Sequence, residues 1–334
     1  MTLRRRTALL GGLALPMLAA TPALAADTVR IGQATPALSF LPLWSARAYQ
    51  TFATAELTLS WASIPGGDPA ALAALDAGDI DLAAVGSDTA MAAIAKGEPF
   101  LFVYSLMSKM TLQVVASDKL LQRSGVGPKD AVTKRIQALK GAIVGVSAVG
   151  GTQDRVARWV AAQGGLNPQT GIQVAMVGPP PAIQAAMENG RIDAFVLSPP
   201  EAGVAESRGY GKLLIDPNAD FPALHGLPNL VLVAKRDPDA ATVRRISGAC
   251  RAMTLGAQKV TAAPDQAADK IQAAYFSKIP QPIIRSAVRS MLDGLAGGGR
   301  FTAQNISVLT RFSSQSGTPV PAGNDFWTNR FIAA

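Results

Sequence analysis

Residues 69–81 read PAALAALDAGDID, and residues 181–193, which lie 112 positions further along the chain, read PAIQAAMENGRID. In both stretches a proline opens a run of small and apolar residues that ends at a glycine, Gly78 or Gly190. Proline is favoured in the first turn of a helix and glycine just past its end, so each stretch predicts a short helix. An isoleucine and an aspartate then lead into an apolar run that is typical of a buried strand. The repetition predicts that the chain consists of two similar halves.

Short apolar runs alternate with helical patterns over most of the chain. This alternation predicts an α/β fold in which parallel sheets carry helices on both faces. Residues 29–32 are also similar in sequence to residues 143–146 in the other half. From residue 237 onward the chain is predicted to be mainly helical, beginning with residues 237–263. The predicted strands are residues 29–33, 57–63, 82–85, 100–106, 112–116, 143–147, 173–177, 194–197, 212–215 and 230–234.

The composition excludes several classes of site. The chain has 334 residues, of which 49% are hydrophobic and 16% charged, as expected for a folded protein of about two domains. It contains one Cys and one His. A disulfide framework, a Cys/His zinc site, a Cys–His nucleophile pair and a multi-His iron centre are therefore excluded. Cys250 lies in an apolar stripe at helical spacing and is predicted to be a packing residue.

Residues 1–25 have the pattern of an export signal. Three arginines at positions 4–6 precede an apolar run, and Ala23-Leu24-Ala25 forms a small-x-small cleavage site. We expect export to the periplasm, by either the twin-arginine or the general secretion route. Without these three arginines the net charge falls from +8 to +5. The modest positive excess favours anionic ligands, and the absence of a Lys/Arg run in the remaining sequence argues against nucleic acid as a partner.

Two α/β lobes imply a cleft, because ligands of open parallel sheets bind beyond the carboxyl ends of the strands. Three loops follow predicted strands and start helices there. Such helix starts expose N–H groups and partial positive charge, which suit a sulfonate, phosphate or carboxylate, although ordinary helix capping explains the same pattern. The three loops are residues 34–45 with Ser39, Phe40 and Trp44, residues 86–89 with Ser87 as N-cap, and residues 149–153 with Thr152 as N-cap.

At these loops the chain resembles the periplasmic solute-binding proteins of ABC importers for nitrate, sulfonates, taurine and thiamine precursors, the SsuA-like family. The resemblance runs from about residue 29 to residue 234. The matching stretches are LPLWSA at 41–46, ALDAGDID at 74–81, GSDT at 86–89, LKG at 139–141, GGT at 150–152 and AMENGRIDA at 186–194.

The resemblance implies a type II periplasmic binding protein fold, with two α/β lobes joined by two crossovers and a central cleft. Residues 27–108 and 228–334 would form lobe 1 with the C-terminal helices, and residues 109–227 lobe 2, with crossovers near 107–111 and 216–228. By position, the ligand-contacting residues would be Ser39, Phe40, Ser87, Asp88, Thr89, Gly151, Thr152, Gln153 and Ser198.

The charged residues near the predicted cleft do not decide the charge of the ligand. Asp88 and Asp154 fall in the first turns of cleft helices, where a carboxylate competes with an anionic ligand. Either they turn away or one of them binds an amine, which would suit a zwitterion such as taurine or a neutral or cationic heterocycle. Lys109, at the first crossover, either reaches a ligand anion or is a solvated hinge residue. Arg155, like Arg158, is expected on the exposed face of its helix.

The predicted function is that of a monomeric, periplasmic solute-binding component of an ABC importer. It would close on a small anionic or zwitterionic solute (sulfonate-, taurine- or nitrate-like) and deliver it to an inner-membrane permease. No cofactor, metal or catalytic step is expected. The alternative is a dehydratase-like periplasmic enzyme on the same fold, with Asp88 or Asp154 as acid or base and Glu201 more distant. A subunit that signals through a membrane partner is a further alternative.

Overall fold

The computed structural model describes residues 27–332, so the predicted export signal lies outside the described residues. Strands are found at all ten predicted positions. Their bounds are β1 Asp27–Gln33, β2 Leu57–Ser63, β3 Leu82–Gly86, β4 Phe100–Met107, β5 Gln113–Ser117, β6 Ile143–Val146, β7 Gln173–Met176, β8 Ala194–Leu197, β9 Gly211–Ile215 and β10 Leu230–Lys235.

The helices lie between the strands and after the last strand. The α-helices are α1 Leu41–Ala48, α2 Thr51–Thr54, α3 Gly67–Ala77, α4 Ser87–Ala95, α5 Asp118–Ser124, α6 Val132–Gln137, α7 Thr152–Gln163, α8 Pro180–Glu188, α9 Glu201–Arg208, α10 Pro217–Asp220, α11 Ala240–Ala262, α12 Pro264–Tyr275, α13 Gln281–Ser290 and α14 Ala303–Gln315. Short 3-10 helices occupy Pro222–Leu224 and Leu292–Leu295. Within residues 27–332, no helix combines the length and apolar character that crossing a membrane requires.

Two five-stranded sheets define two lobes. The first lobe has the strand order β2-β1-β3-β10-β4, and the second has the order β7-β6-β8-β5-β9. The chain crosses from one sheet to the other between β4 and β5 and again between β9 and β10. The predicted fold of two α/β lobes joined by two crossovers is confirmed.

The prediction of parallel sheets is wrong for one strand in each lobe. β10 runs antiparallel to β3 and β4, and β5 runs antiparallel to β8 and β9. These are the strands by which the chain enters each sheet from the other lobe. They start at the edge that faces the cleft, where the other strands end, so their direction is reversed.

The repeated sequence has the same role in both lobes. Gly78 and Gly190 follow α3 and α8 with positive φ angles of 80° and 68°, a conformation that glycine adopts without steric cost. The isoleucine two residues later packs on a glycine of the neighbouring strand. A Cβ on Gly32 would lie 2.6 Å from Ile80 Cδ1, and one on Gly145 would lie 2.6 Å from Ile192 Cδ1. The glycines in β1 and β6 therefore make room for these isoleucines.

The aspartate that follows ties the loop to the start of the adjacent strand. Asp81 accepts from the backbone N–H of Arg30 at 2.8 Å, and Asp193 accepts from that of Ile143 at 2.9 Å. Contrary to the prediction, Pro69 and Pro181 are not the first residues of their helices. Helix α3 begins two residues earlier, at Gly67, and α8 begins one residue earlier, at Pro180. The equivalence of the two halves is nevertheless confirmed by these matched contacts.

The last helix, α14, packs on both lobes. Ile306 and Leu309 join the apolar cluster between β3, β10 and α4 of the first lobe. Val308 and Phe312 join the core of the second lobe, where Phe312 lies 5.6 Å from the ring of Trp159 on α7. The C-terminal segment therefore contributes to both lobes as well as following the last strand.

Candidate functional site

The candidate site is a cavity between the lobes, at the edge where β1, β3, β6 and β8 end. It encloses about 660 Å³, counting the part of its mouth that is open to solvent. Sites for small molecules typically have a volume in this range and lie at this end of the strands. Both lobes and both crossovers contribute to the lining, which comprises Thr35, Ala37, Ser39, Phe40, Gly67, Asp68, Gly86, Leu112, Ser147, Ala148, Gly151, Thr152, Gln153, Pro180, Leu197, Ser198, Glu201, Asn229 and Leu230.

The structure brings six of the ten predicted ligand-contacting residues together on this cavity: Ser39, Phe40, Gly151, Thr152, Gln153 and Ser198. Of the other four, Ser87, Asp88 and Thr89 lie behind the wall at the start of α4, and Lys109 lies elsewhere.

The loop between β1 and α1 is held in place by two hydrogen bonds. Gln33 Nε2 donates to the carbonyl of Thr35 at 2.8 Å, and the indole N–H of Trp44 donates to that of Ala37 at 2.7 Å. Ser39 and Phe40 are buried at the end of this loop. Trp44 itself packs against other aromatic rings in the core, so Phe40 is the aromatic residue that the loop presents to the cavity.

The predicted N-caps are each displaced by one residue. Gly86 and Gly151 are the N-caps of α4 and α7, and neither helix has a side-chain cap. Ser87 and Thr152 are instead the first helical residues. The Ser87 N–H donates to the carbonyl of Asn229 at 3.0 Å, so the start of α4 is tied to the second crossover rather than directed at a ligand.

A polar cluster joins the lobes beside the cavity. We call it the interlobe cluster; it consists of Asp68, Asp88 and Thr89 of the first lobe and Thr152 and Arg155 of the second. Thr152 Oγ1 lies 2.6 Å from Asp88 Oδ1 and 3.0 Å from Asp68 Oδ2. Arg155 Nη1 donates to Thr89 Oγ1 at 2.8 Å and to Asp88 Oδ2 at 3.2 Å. The cluster therefore holds the lobes together through direct side-chain contacts.

Protonation of Asp68 is favoured by this arrangement. Burial raises the pKa of the Asp68 carboxyl, and the nearby Asp88 raises it further. The backbone N–H of Gly86 and the hydroxyls of Thr89 and Thr152 lower the pKa in part. A threonine hydroxyl has one proton, so Thr152 donates to only one of the two carboxylates at a time. A proton on Asp68 removes this conflict.

The expected position of Arg155 on an exposed helix face is wrong. Its side chain is largely buried because it crosses to Asp88 and Thr89 in the other lobe. Arg158 instead pairs with Asp154 on its own helix at 2.6 Å. Asp154 also accepts from the Gly150 N–H at 2.8 Å, so it turns back onto its own loop.

The ion pairs of Asp88, Asp154 and Lys109 keep these residues from the roles at the ligand that the sequence left open for them. Asp88 and Asp154, the acids considered for catalysis or for binding an amine, contact arginines and do not line the cavity. Lys109 Nζ donates to Asp293 at 2.8 Å and to the carbonyl of Ser290 at 2.9 Å. Lys109 therefore does not reach the cavity and is a paired hinge residue.

Sequence reasoning missed Asp68 in the cavity wall, and it named Glu201, which also lines the cavity, only as a more distant acid of the enzyme alternative. Asp68 and Pro180 are equivalent positions of the repeat, since each directly precedes the repeated proline, and both residues line the cavity. The repeat could therefore have indicated that Asp68 lies at the site. Glu201 starts α9. Burial raises the pKa of Glu201, and a hydrogen bond from Gln184 lowers it in part.

Asn229 connects the cavity to both crossovers. Its backbone N–H donates to the Met107 carbonyl at 2.8 Å, and its side-chain amide donates to Thr111 Oγ1 at 3.1 Å. Thr111 in turn lies 3.1 Å from the hydroxyl of Ser198 in the cavity wall. A ligand that contacts Asn229 or Ser198 therefore contacts a residue that is hydrogen-bonded to the first crossing segment. Within residues 27–332, no group of three His, Cys, Asp or Glu side chains is placed to hold a metal ion.

Comparisons with known proteins agree with this architecture. Residues 25–274 match the model of the NMT1-like family. No curated protein matches the chain in sequence.

Several solved structures superpose on the chain. A protein of Bordetella bronchiseptica RB50 does so with a TM-score of 0.73 and 22% identity, over 91% of this chain and 95% of that one. The alkanesulfonate-binding protein SsuA of Xanthomonas axonopodis pv. citri, bound to MOPS, gives 0.66 at 19% identity, over 88% and 94%. The periplasmic nitrate-binding protein NrtA of Synechocystis PCC 6803 gives 0.67 at 16%, over 90% and 84%. The likeness establishes a periplasmic binding protein fold.

Proposed function

The chain belongs to the NMT1-like family, and on that premise we propose that it is the solute-binding component of an ABC importer. In this role it binds a small molecule in the periplasm and delivers it to a permease in the inner membrane. The pattern of an export signal in residues 1–25 supports the periplasmic location.

The observation that carries the proposal is the cavity between the lobes. Phe40 and Gly86 of the first lobe face Gly151 and Ser198 of the second across it. A molecule bound there contacts both lobes at once and therefore binds the closed form more tightly than an open form. Only such differential binding shifts a conformational equilibrium.

Closure is a rotation about the two crossovers. The first crossing segment is short, and Asn229, at the end of the second, bonds to Met107 and Thr111 of the first. The ligand and the interlobe cluster then stabilise the same closed state. Closing the cleft also removes water from the ligand, which strengthens its hydrogen bonds. The closed form is the form that docks productively on the permease.

The solute is a small polar molecule. The names of the structural relatives give alkanesulfonates, MOPS and nitrate as their ligands, which supports a compound of that size. An anionic or zwitterionic compound of the sulfonate, taurine or nitrate type is what the sequence predicts.

The proposal is tested by a binding screen on the chain without residues 1–25. Thermal shift and calorimetry with nitrate, ethanesulfonate, taurine, benzoate and benzylamine report ligand binding, because a ligand specific for the folded state raises the melting temperature. We expect at least one compound to bind and to reduce the radius of gyration in solution scattering. The bound compound should be recovered unchanged, since turnover would favour the enzyme alternative.

A matched pair of variants locates the binding. Gly151→Leu places a side chain in the cavity wall and should abolish binding, whereas Gly127→Leu lies where a Cβ meets no atom closer than 3.9 Å and should not. Equal affinity of the two variants would place the ligand elsewhere. Uptake of the compound by cells with and without the gene tests delivery to the permease.

A further inference from the structure

The charged side chains in the cavity wall are all acidic. Asp68 lines the cavity from the first lobe and Glu201 from the second. No Lys, Arg or His of the described part of the chain lines it. The nearby cations are engaged elsewhere, Arg155 with Asp88 and Thr89, and Lys109 with Asp293.

Several backbone donors that would suit an anion already have acceptors in the protein. The Gly86 N–H donates to Asp68, and the Ser147 N–H donates to the side chain of Gln153 at 2.6 Å. The Gly150 N–H is bonded to Asp154. These loops therefore use their own side chains where a binding site for an oxyanion would offer donors to the ligand.

Glu201 presents an acceptor that the protein satisfies on one side only. Gln184, which is buried, donates to Glu201 Oε2. For Oε1, no donor is found among the described residues. Glu201 is half-buried, and a partly desolvated carboxylate is stabilised by a charged or hydrogen-bonding partner. The raised pKa values of Asp68 and Glu201 have the same cause, since no cation offsets their burial.

From these observations we propose that the solute carries a protonated nitrogen, as an ammonium or amidinium group, which faces the carboxyl groups of Asp68 and Glu201. Its apolar part lies against Phe40, Leu112 and Leu230. This inference rests on the proposed function, because it concerns the same cleft, and it narrows the class of solute.

A simple oxyanion does not fit this cavity. In the closed cleft it would face two carboxyl groups without a counter-cation. It could therefore bind only with both groups protonated, because an ionised carboxylate repels an anion strongly at low dielectric. The start of α7 still provides the unpaired N–H groups of a helix N-terminus. A zwitterion can place its anionic end there and its cationic end at the carboxyl groups, so the zwitterionic form of the predicted solute remains compatible.

The test uses two probes that share a ring and differ in charge, benzamidine and benzenesulfonate, with calorimetry at pH 7. We expect benzamidine to bind and benzenesulfonate not to bind. Glu201→Gln should weaken benzamidine binding at least tenfold, and Asp68→Asn should weaken it in the same direction. Glu206→Gln, an exposed residue on the same helix that faces away from the cavity, should leave the affinity unchanged.

Proton release distinguishes a direct contact from a structural effect. At pH 5 a cation that faces Asp68 and Glu201 lowers their pKa values, so benzamidine binding should release protons, and the measured enthalpy should depend on the ionisation enthalpy of the buffer. Binding of benzenesulfonate without benzamidine, no binding of benzamidine, or unchanged affinity in Glu201→Gln would overturn the inference. If anions from the screen bind in the cleft, the proposed function stands and only this inference fails. If no compound binds, both fail.

Discussion

Arg155 and Thr89 meet across the cleft, and the guanidinium Nη1 of Arg155 donates to Thr89 Oγ1 at 2.8 Å. The two residues belong to the first turns of α7 and α4, which start at the cavity from opposite lobes. The closed cleft is therefore stabilised by contacts of the protein with itself as well as by contacts with a solute. The strength of these contacts sets the fraction of closed molecules in the absence of ligand.

Removal of the Arg155 side chain should favour the open form. Hydrogen bonds to charged groups contribute about 1.5–3 kcal/mol, so Arg155→Ala should weaken solute binding by about 10- to 100-fold. Solution scattering without ligand should show a larger radius of gyration. Arg158→Ala is the matched control, since Arg158 pairs within its own lobe. An unchanged affinity in Arg155→Ala would show that this contact does not stabilise closure.

Gly86→Ala should keep the lobes apart. A Cβ at this position would lie 1.9 Å from Thr152 Oγ1 of the other lobe, and opening the cleft relieves this clash. It would also lie 3.0 Å from Asp68 Oδ2 of its own lobe, a contact that a shift of a few tenths of an ångström in the Asp68 side chain relieves. The backbone of Gly86 has an extended conformation that alanine adopts freely. We expect at least a tenfold loss of affinity by calorimetry and a melting temperature close to that of the wild type. Gly127→Ala, which has room for a Cβ, should bind normally. A wild-type affinity in Gly86→Ala would contradict the closed geometry.

Asp68 should make the closed, folded protein less stable as the pH rises. Its pKa is raised above the ordinary value by burial and by Asp88. A group of this kind contributes most below its ordinary pKa, near 3.8, and the contribution is lost as the pH rises through the raised value.

Asp68→Asn removes this titration. The melting temperature of Asp68→Asn minus that of the wild type should therefore increase between pH 4 and pH 7. Glu201 shifts in the same direction but is present in both proteins, so its effect cancels. A difference that does not vary with pH would show that Asp68 keeps an ordinary pKa.

Alanine at Gly32 or Gly145 should destabilise the protein to a similar degree. At both positions the added Cβ would lie 2.6 Å from the Cδ1 of an isoleucine, Ile80 or Ile192. Crowding of this kind costs about 1–3 kcal/mol, which urea unfolding can measure. The two effects should add in the double variant because the sites lie in different lobes. A neutral effect at only one of them would show that the lobes differ at this contact.

The features that were predicted correctly depend on local sequence. The glycine, isoleucine and aspartate of the repeat act within one helix, one turn and the next strand, and Gly78, Ile80 and Asp81 show this pattern without reference to the other lobe. The position of Ser39, Phe40 and Gly151 on the cavity is also local in origin, since a loop after a strand and before a helix points to the cleft wherever the sheets are parallel. Their contact with a ligand stays a prediction.

The errors about the charged residues of the site concern contacts between the lobes. Helical periodicity places Arg155 on a face of α7, but it does not show that α4 of the other lobe covers that face. Asp88 and Arg155 are 67 positions apart in the sequence, and only the closed arrangement brings them together. Glu201 was considered more distant than Asp88 and Asp154 for a related reason, because its place in the cavity depends on how β8 and α9 sit against the first lobe.

The last helix adds a mechanical link that is separate from the chain crossings. Rotation of one lobe has to slide Trp159 and Phe312 past each other, or pull Leu309 of α14 away from its apolar neighbours in the first lobe. The range of motion is therefore limited by a helix of which no residue lines the cavity. The width to which the cleft opens depends on how strongly this C-terminal helix packs against each lobe.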